Sequence, residues 1–176
     1  MMEAVKMPTF PVRSASALMD DDDVRARWAA RESIGAAGRT ILAGILDRFV
    51  ADGGPVALDT LGPDLGAIDV AVAELDAADL VAVDDDRVVL AYPFASAPLG
   101  FAVTLPGGRE RQACCAIDAL GIAPMLGVPT RIRAGCHHCG ERLDITVEPT
   151  GPVGGDGIMA WVGRRETVRQ KACHGL

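Results

Sequence analysis

All five cysteines of this chain, Cys114, Cys115, Cys136, Cys139 and Cys173, lie beyond residue 113, and their number is odd. A disulfide framework needs paired cysteines spread through the chain. This fold must therefore be held by an apolar core, leaving the thiols reduced for metal binding or catalysis. The material for a core is present. A chain of 176 residues with 49% hydrophobic content can form one domain of ordinary size or two small ones. Aromatic residues make up only 4%, so small aliphatic side chains have to fill the interior.

The chain changes character at Pro93–Gly100, a stretch holding Pro93, Pro98 and Gly100 that reads as a linker between two domains. Residues 1–23 form a flexible lead ending in Asp20–Asp23, whose carboxylates suit the start of a helix near Val24. Ile41, Leu42, Ile45, Leu46 and Phe49 have helical spacing, and Asp52-Gly53-Gly54-Pro55 ends that helix. Val56–Leu58 with Leu61 and Leu65 lead into a second helix over about 67–78. Leu80–Val83 and Val88–Ala91 then form a hairpin around the acidic turn Asp84-Asp85-Asp86. Helix, short helix, helix, hairpin is the winged-helix order, and it assigns residues 24–92 to a winged-helix-like domain. Residues 101–176 read as a small mixed α/β domain carrying all the cysteines, which makes the whole chain α+β. Its expected elements are strands at 101–105, 130–134, 143–147 and 158–162 and a helix over 112–120.

Charge narrows the function. The net charge is −7 and the pI about 4.9. Asp69, Glu74, Asp76 and Asp79 occupy the second helix and its end, where a DNA-reading winged helix places basic residues. No nucleic acid is expected as a partner, and the domain reads as structural or dimerising, which leaves a homodimer open. No apolar run has the length of a signal peptide core or a membrane span. A cytoplasmic protein with no membrane partner is expected.

Three clusters carry chemistry. In Gln112-Ala113-Cys114-Cys115-Ala116-Ile117-Asp118, a helix would put Cys115 and Asp118 on one face, with the thiol near a helix start that favours thiolate. A carboxyl beside that thiol can carry a proton. Alone, a Cys-x-x-Asp is more often a buried small residue followed by a surface acid. The second cluster is Cys136-His137-His138-Cys139-Gly140, whose Cys-x-x-Cys turn offers two sulfurs to a tetrahedral metal. Completing four ligands would draw on Cys114 or Cys115 together with Cys173 or His174, the third cluster. The candidate metal ligands are thus Cys114, Cys115, Cys136, Cys139, Cys173 and His174, and the ion zinc or another soft cation.

The phrases Ala113-Cys114-Cys115-Ala116-Ile117-Asp118-Ala119-Leu120, Pro124-Met125-Leu126-Gly127, Thr130-Arg131-Ile132, Gly135-Cys136 and Cys173-His174 together resemble the organomercurial (alkylmercury) lyase family. The resemblance extends over roughly residues 25–174. It implies cleavage of a carbon–mercury bond by thiolate coordination and protonolysis, with no cofactor required for catalysis. Carried over, Cys115 resembles the first thiolate, Asp118 the proton carrier and Cys173 the second thiolate, while Cys136 matches a structural cysteine. The expected partner is a small organometal substrate or a soft metal ion. Two alternatives stay open: a non-catalytic metal-binding protein of the same fold, and a metal-responsive regulator.

Overall fold

The computed structural model describes residues 13, 14, 17, 22–155 and 157–160. The lead expected over residues 1–23 falls largely outside them, as do Cys173 and His174. The chain divides into two compact units, Met1–Ser33 and Ile34–Leu176. In the first, helix α1 (Asp22–Glu32) begins on the acid run as expected. Its surface carries an Arg25–Asp22 ion pair at 2.7 Å and a Trp28 Nε1–H bond to Glu32 at 3.0 Å, both at helical neighbour spacing.

The second unit opens with helix α2 (Ala36–Asp52), which buries Gly38, Ile45 and Phe49. Gly35 at its N-cap has no side chain to satisfy the first amides. The carboxylate of Glu74 accepts the Gly35 N–H instead, at 3.2 Å. At the other end Gly53, with φ of 90°, donates back to the Phe49 carbonyl and stops the helix. Gly54 then passes directly over the Phe49 ring. A Cβ there would lie 2.5 Å from Phe49 Cε1, so only glycine fits.

Strand β1 (Val56–Ala57) and a single 3-10 turn (Leu58–Thr60) follow, the latter standing where a short helix was expected. Helix α3 (Leu65–Ala77) is capped by Asp64, whose side chain accepts the Ala67 N–H at 3.1 Å. It buries Ile68, Ala71, Val72 and Leu75, the apolar stripe of its sequence. Strands β2 (Val81–Asp84) and β3 (Arg87–Ala91) form the acidic-tipped hairpin. Asp85 takes a positive φ of 52° in its two-residue turn, a conformation that Asp tolerates.

The remaining elements are β4 (Phe94–Ala95), β5 (Phe101–Thr104), β6 (Glu110–Ala113), α4 (Ala116–Leu126), β7 (Thr130–Gly135), β8 (Arg142–Glu148) and β9 (Gly151–Val153). Among the described residues the strands make one antiparallel sheet of order β1-β3-β4-β6-β5-β7-β8-β9, with β2 paired to β3. The α+β character read from the sequence holds. Two expected elements differ. The helix expected over 112–120 begins only at Ala116, because residues 110–113 pair with both β4 and β5. No strand forms over Ile158–Ala160; Ile158 closes a turn onto Gly155 amid glycines of positive φ. The unforeseen β9 pairs with β8 in place of it.

The stretch 93–100 is more than a linker, since β4 within it hydrogen-bonds β3 on one side and β6 on the other. The Phe94 ring stacks on Phe49 of α2, with centroids 6.2 Å apart and planes 8° from parallel. One buried cluster runs from Ile45, Phe49 and Leu75 through Phe94 to Val103, Ile122 and Ile132. Arg111 of β6 adds a polar tie. Its guanidinium donates to the Val50 carbonyl at 2.7 and 3.0 Å and to the Ala51 carbonyl at 2.5 Å, satisfying the last turn of α2. The site at the end of β6 is thereby braced from both halves of the sheet.

Candidate active site: a thiol and a carboxyl in a helix cap

β6 ends at Ala113, and the chain turns through Cys114 and Cys115 into α4. The two adjacent cysteines go to different places. Cys114 is 5% exposed and donates its S–H to the Phe94 carbonyl at 3.3 Å, while its own N–H binds the Pro93 carbonyl at 3.1 Å. It packs with Leu90 and Ala95 as a small apolar residue.

Cys115 is the N-cap of α4, with extended backbone (φ −153°, ψ 179°). Its sulfur accepts the Asp118 N–H at 3.4 Å. Asp118 stands at the third helical position, and its carboxylate hydrogen-bonds back to the Cys115 thiol. The sulfur thus caps the helix as a serine or threonine hydroxyl would, with the carboxyl of the third helical residue turned onto it. The pair meets across the cap rather than along a helix face, as the sequence had suggested, and both side chains are half-buried.

The electrostatics also differ from expectation. A thiol at a helix amino end is ordinarily acidified. Here burial, followed by the hydrogen bond and negative charge of Asp118, pushes the Cys115 thiol from 9.0 up to about 12. The N–H groups of Asp118 and Ile117 pull the other way but are outweighed. Cys115 therefore rests as a neutral thiol with its proton directed at a carboxylate.

Cys136 and Cys139 sit in the turn between β7 and β8, Cys136 partly exposed and Cys139 exposed, as are His137 and His138. The turn is closed by the Cys136 N–H to the Glu141 carbonyl at 2.7 Å and the Gly140 N–H to the Cys136 carbonyl at 2.8 Å. The Cys136 sulfur accepts backbone N–H groups from Cys139 and His138 and a hydrogen bond from the Cys139 thiol, which together hold its pKa below the ordinary thiol value. Among the described residues no three Cys, His, Asp or Glu side chains converge as a metal site. The structure thus brings Cys115 to Asp118 and Cys136 to Cys139, and sends Cys114 into the core. What sequence reasoning missed is the role of the Phe94 carbonyl in fixing Cys114. No local signal marks it, because β4 and β6 are joined only through a crossover.

The alkylmercury lyase (MerB) family model matches residues 94–175, the part of the chain that carries β4 to β9 and all three cysteine clusters. Among solved structures, the mercury-bound form of MerB2 is similar, with a TM-score of 0.62 and 21% sequence identity. That likeness covers 74% of this chain and 65% of the other, and at this identity it is a likeness of fold. The comparison with curated proteins gave no match.

Proposed function

With residues 94–175 matching the alkylmercury lyase family, we propose that this chain cleaves a carbon–mercury or related organometal bond by thiolate coordination and protonolysis. The observation that carries this reading is the Cys115–Asp118 cap, in which a thiol proton already faces a carboxylate. In the first step the Cys115 sulfur bonds to the mercury of R–Hg–X, and its proton passes to Asp118 as X⁻ leaves. A second thiolate, assigned to Cys173 by the resemblance, raises electron density at mercury and weakens the bond to carbon. Asp118 then returns its proton to carbon, the carbon–mercury pair becomes the new C–H bond, and the hydrocarbon departs. The proton taken from sulfur is the proton given to carbon, so no cofactor is needed. Mercury is substrate and product.

The reading of the same fold as a purely metal-holding protein is less favoured, because Cys114 faces the core and Cys115 stands against a carboxyl that such a role does not need. The experiment is incubation of the reduced protein with phenylmercury and detection of benzene. Release is expected for the wild type. Asp118→Asn is expected to lower it by at least about 100-fold, the usual range for loss of a proton donor, while the phenylmercury stays bound. A wild-type protein that binds the compound and releases no benzene would sink the proposal.

A further inference from the structure

Strands β6 and β7 flank β5, and both run antiparallel to it. They consequently leave the sheet at the same end of its strands, beside the start of β5. The pairings set the register: Phe94 opposes Ala113, Gln112 opposes Ala102, and Phe101 opposes Ala134. Cys115 stands two residues beyond Ala113, and Cys136 two residues beyond Ala134. Two strand spacings separate the exits of β6 and β7, roughly 10 Å.

The two sites differ in chemistry. At Cys115 one sulfur is half-buried against a carboxyl. The β7–β8 turn presents two adjacent sulfurs toward solvent, with backbone N–H groups of His138 and Cys139 turned onto the Cys136 sulfur. Gly140, at φ 73°, lets the chain reverse behind them, and the Cys136–Glu141 and Gly140–Cys136 hydrogen bonds hold the reversal at the end of the paired strands. Among the described residues no third ligand joins the two sulfurs. A tetrahedral zinc ion would find half its shell here. A soft closed-shell ion content with two thiolates, such as mercury(II), would find all of it.

We propose that Cys136 and Cys139 form a second soft-metal site, separate from the Cys115–Asp118 pair but at the same end of the strands, which takes a thiophilic cation as a bis-thiolate. Binding replaces two S–H bonds by two S–metal bonds and releases two protons to solvent. The site stands whether or not the chain cleaves organomercurials, since it uses neither Cys115 nor Asp118.

The test uses the full-length reduced protein and three variants, titrated with mercury(II) and, separately, with zinc(II). The variant Cys114→Ala/Cys115→Ala/Cys173→Ala keeps only the turn pair. It is expected to bind one mercury(II) per chain and to protect both remaining thiols from a chromogenic thiol reagent. Cys139→Ala added to that background is expected to weaken binding roughly 100-fold or more, because the second sulfur no longer acts as an intramolecular ligand. Equal binding with and without Cys139, or no binding by the turn pair, would overturn the proposal. In the otherwise native chain, Cys136→Ala/Cys139→Ala should bind one mercury(II) fewer than wild type with an unchanged circular dichroism spectrum, as the turn lies outside the buried core. An unchanged mercury(II) stoichiometry there would also overturn it. Zinc(II) bound tightly by wild type but not by the turn-pair variant would place ligands from other clusters in the shell, and would overturn the two-sulfur form.

Discussion

Cys114 and Cys115 are neighbours in sequence and opposites in role, because one peptide unit at the end of a strand turns the first side chain inward and leaves the second at a helix cap. Cys114→Ala removes a buried S–H bond to the Phe94 carbonyl and should cost about 1 kcal/mol of stability by urea denaturation. Cys115 makes a pH-dependent contribution of definite sign. Its folded pKa is about 12, above the ordinary 9.0, so the folded state holds the thiol proton more tightly than the unfolded chain does. That contribution is fully present below pH 9 and disappears as the pH climbs through 12. Alkaline unfolding of Cys115→Ala should therefore show a shallower loss of stability over this window than wild type. Asp118→Asn removes a negative charge that raises the thiol pKa, so alkylation of Cys115 by iodoacetamide at neutral pH should become faster. An unchanged rate would mean that burial alone sets the thiol's state.

At the scale of elements, the cap of α4 depends on β6, and β6 depends on groups far away in sequence. Arg111 lies three residues before Cys114 yet satisfies the carboxy-terminal carbonyls of α2. Arg111→Ala strands those carbonyls at a partly buried junction and should destabilise the protein by about 2 kcal/mol in thermal or urea unfolding. If its effect is confined to this junction, phenylmercury binding at low temperature should be near wild type. On the far side of β5, Arg131 grips Asp144 through two hydrogen bonds of 2.5 and 2.6 Å across β7 and β8. The guanidinium holds the Asp144 carboxyl below its usual range, so this cross-strand tie persists as the medium becomes moderately acidic. The pair lies on the hairpin whose turn carries Cys136 and Cys139.

For the compact unit as a whole, the sheet and the core cross the stretch 93–100 without a break. Residues 101–176 alone would lack β4, the Phe94 ring and the Phe49 face against which it stacks. Expressed separately, that segment should show neither native-like amide dispersion by NMR nor cooperative unfolding. A well-folded fragment would show that the shared core is dispensable. The acidic helix-and-hairpin module then has a definite physical job: its β3 pairs with the outer side of β4, and its α2 receives Arg111. Among the described residues no helix is long and apolar enough to cross a membrane.

Local information determined much of this protein. Helix periodicity located α2 and α3, the Asp-rich turn located the hairpin, alternation located β7 and β8, and residue types at short spacing singled out Cys115 with Asp118 and Cys136 with Cys139. All these signals act over a few residues, which is the range of helix contacts, turns and caps. Tertiary structure decided what lay beyond that range. Residues 110–113 became a strand because β4 and β5 offered hydrogen-bonding partners on both sides, and that moved the helix start onto Cys115 itself. The same event buried the thiol against Asp118 and reversed the expected direction of its pKa, since desolvation depends on what packs around a group and no spacing in the sequence records that.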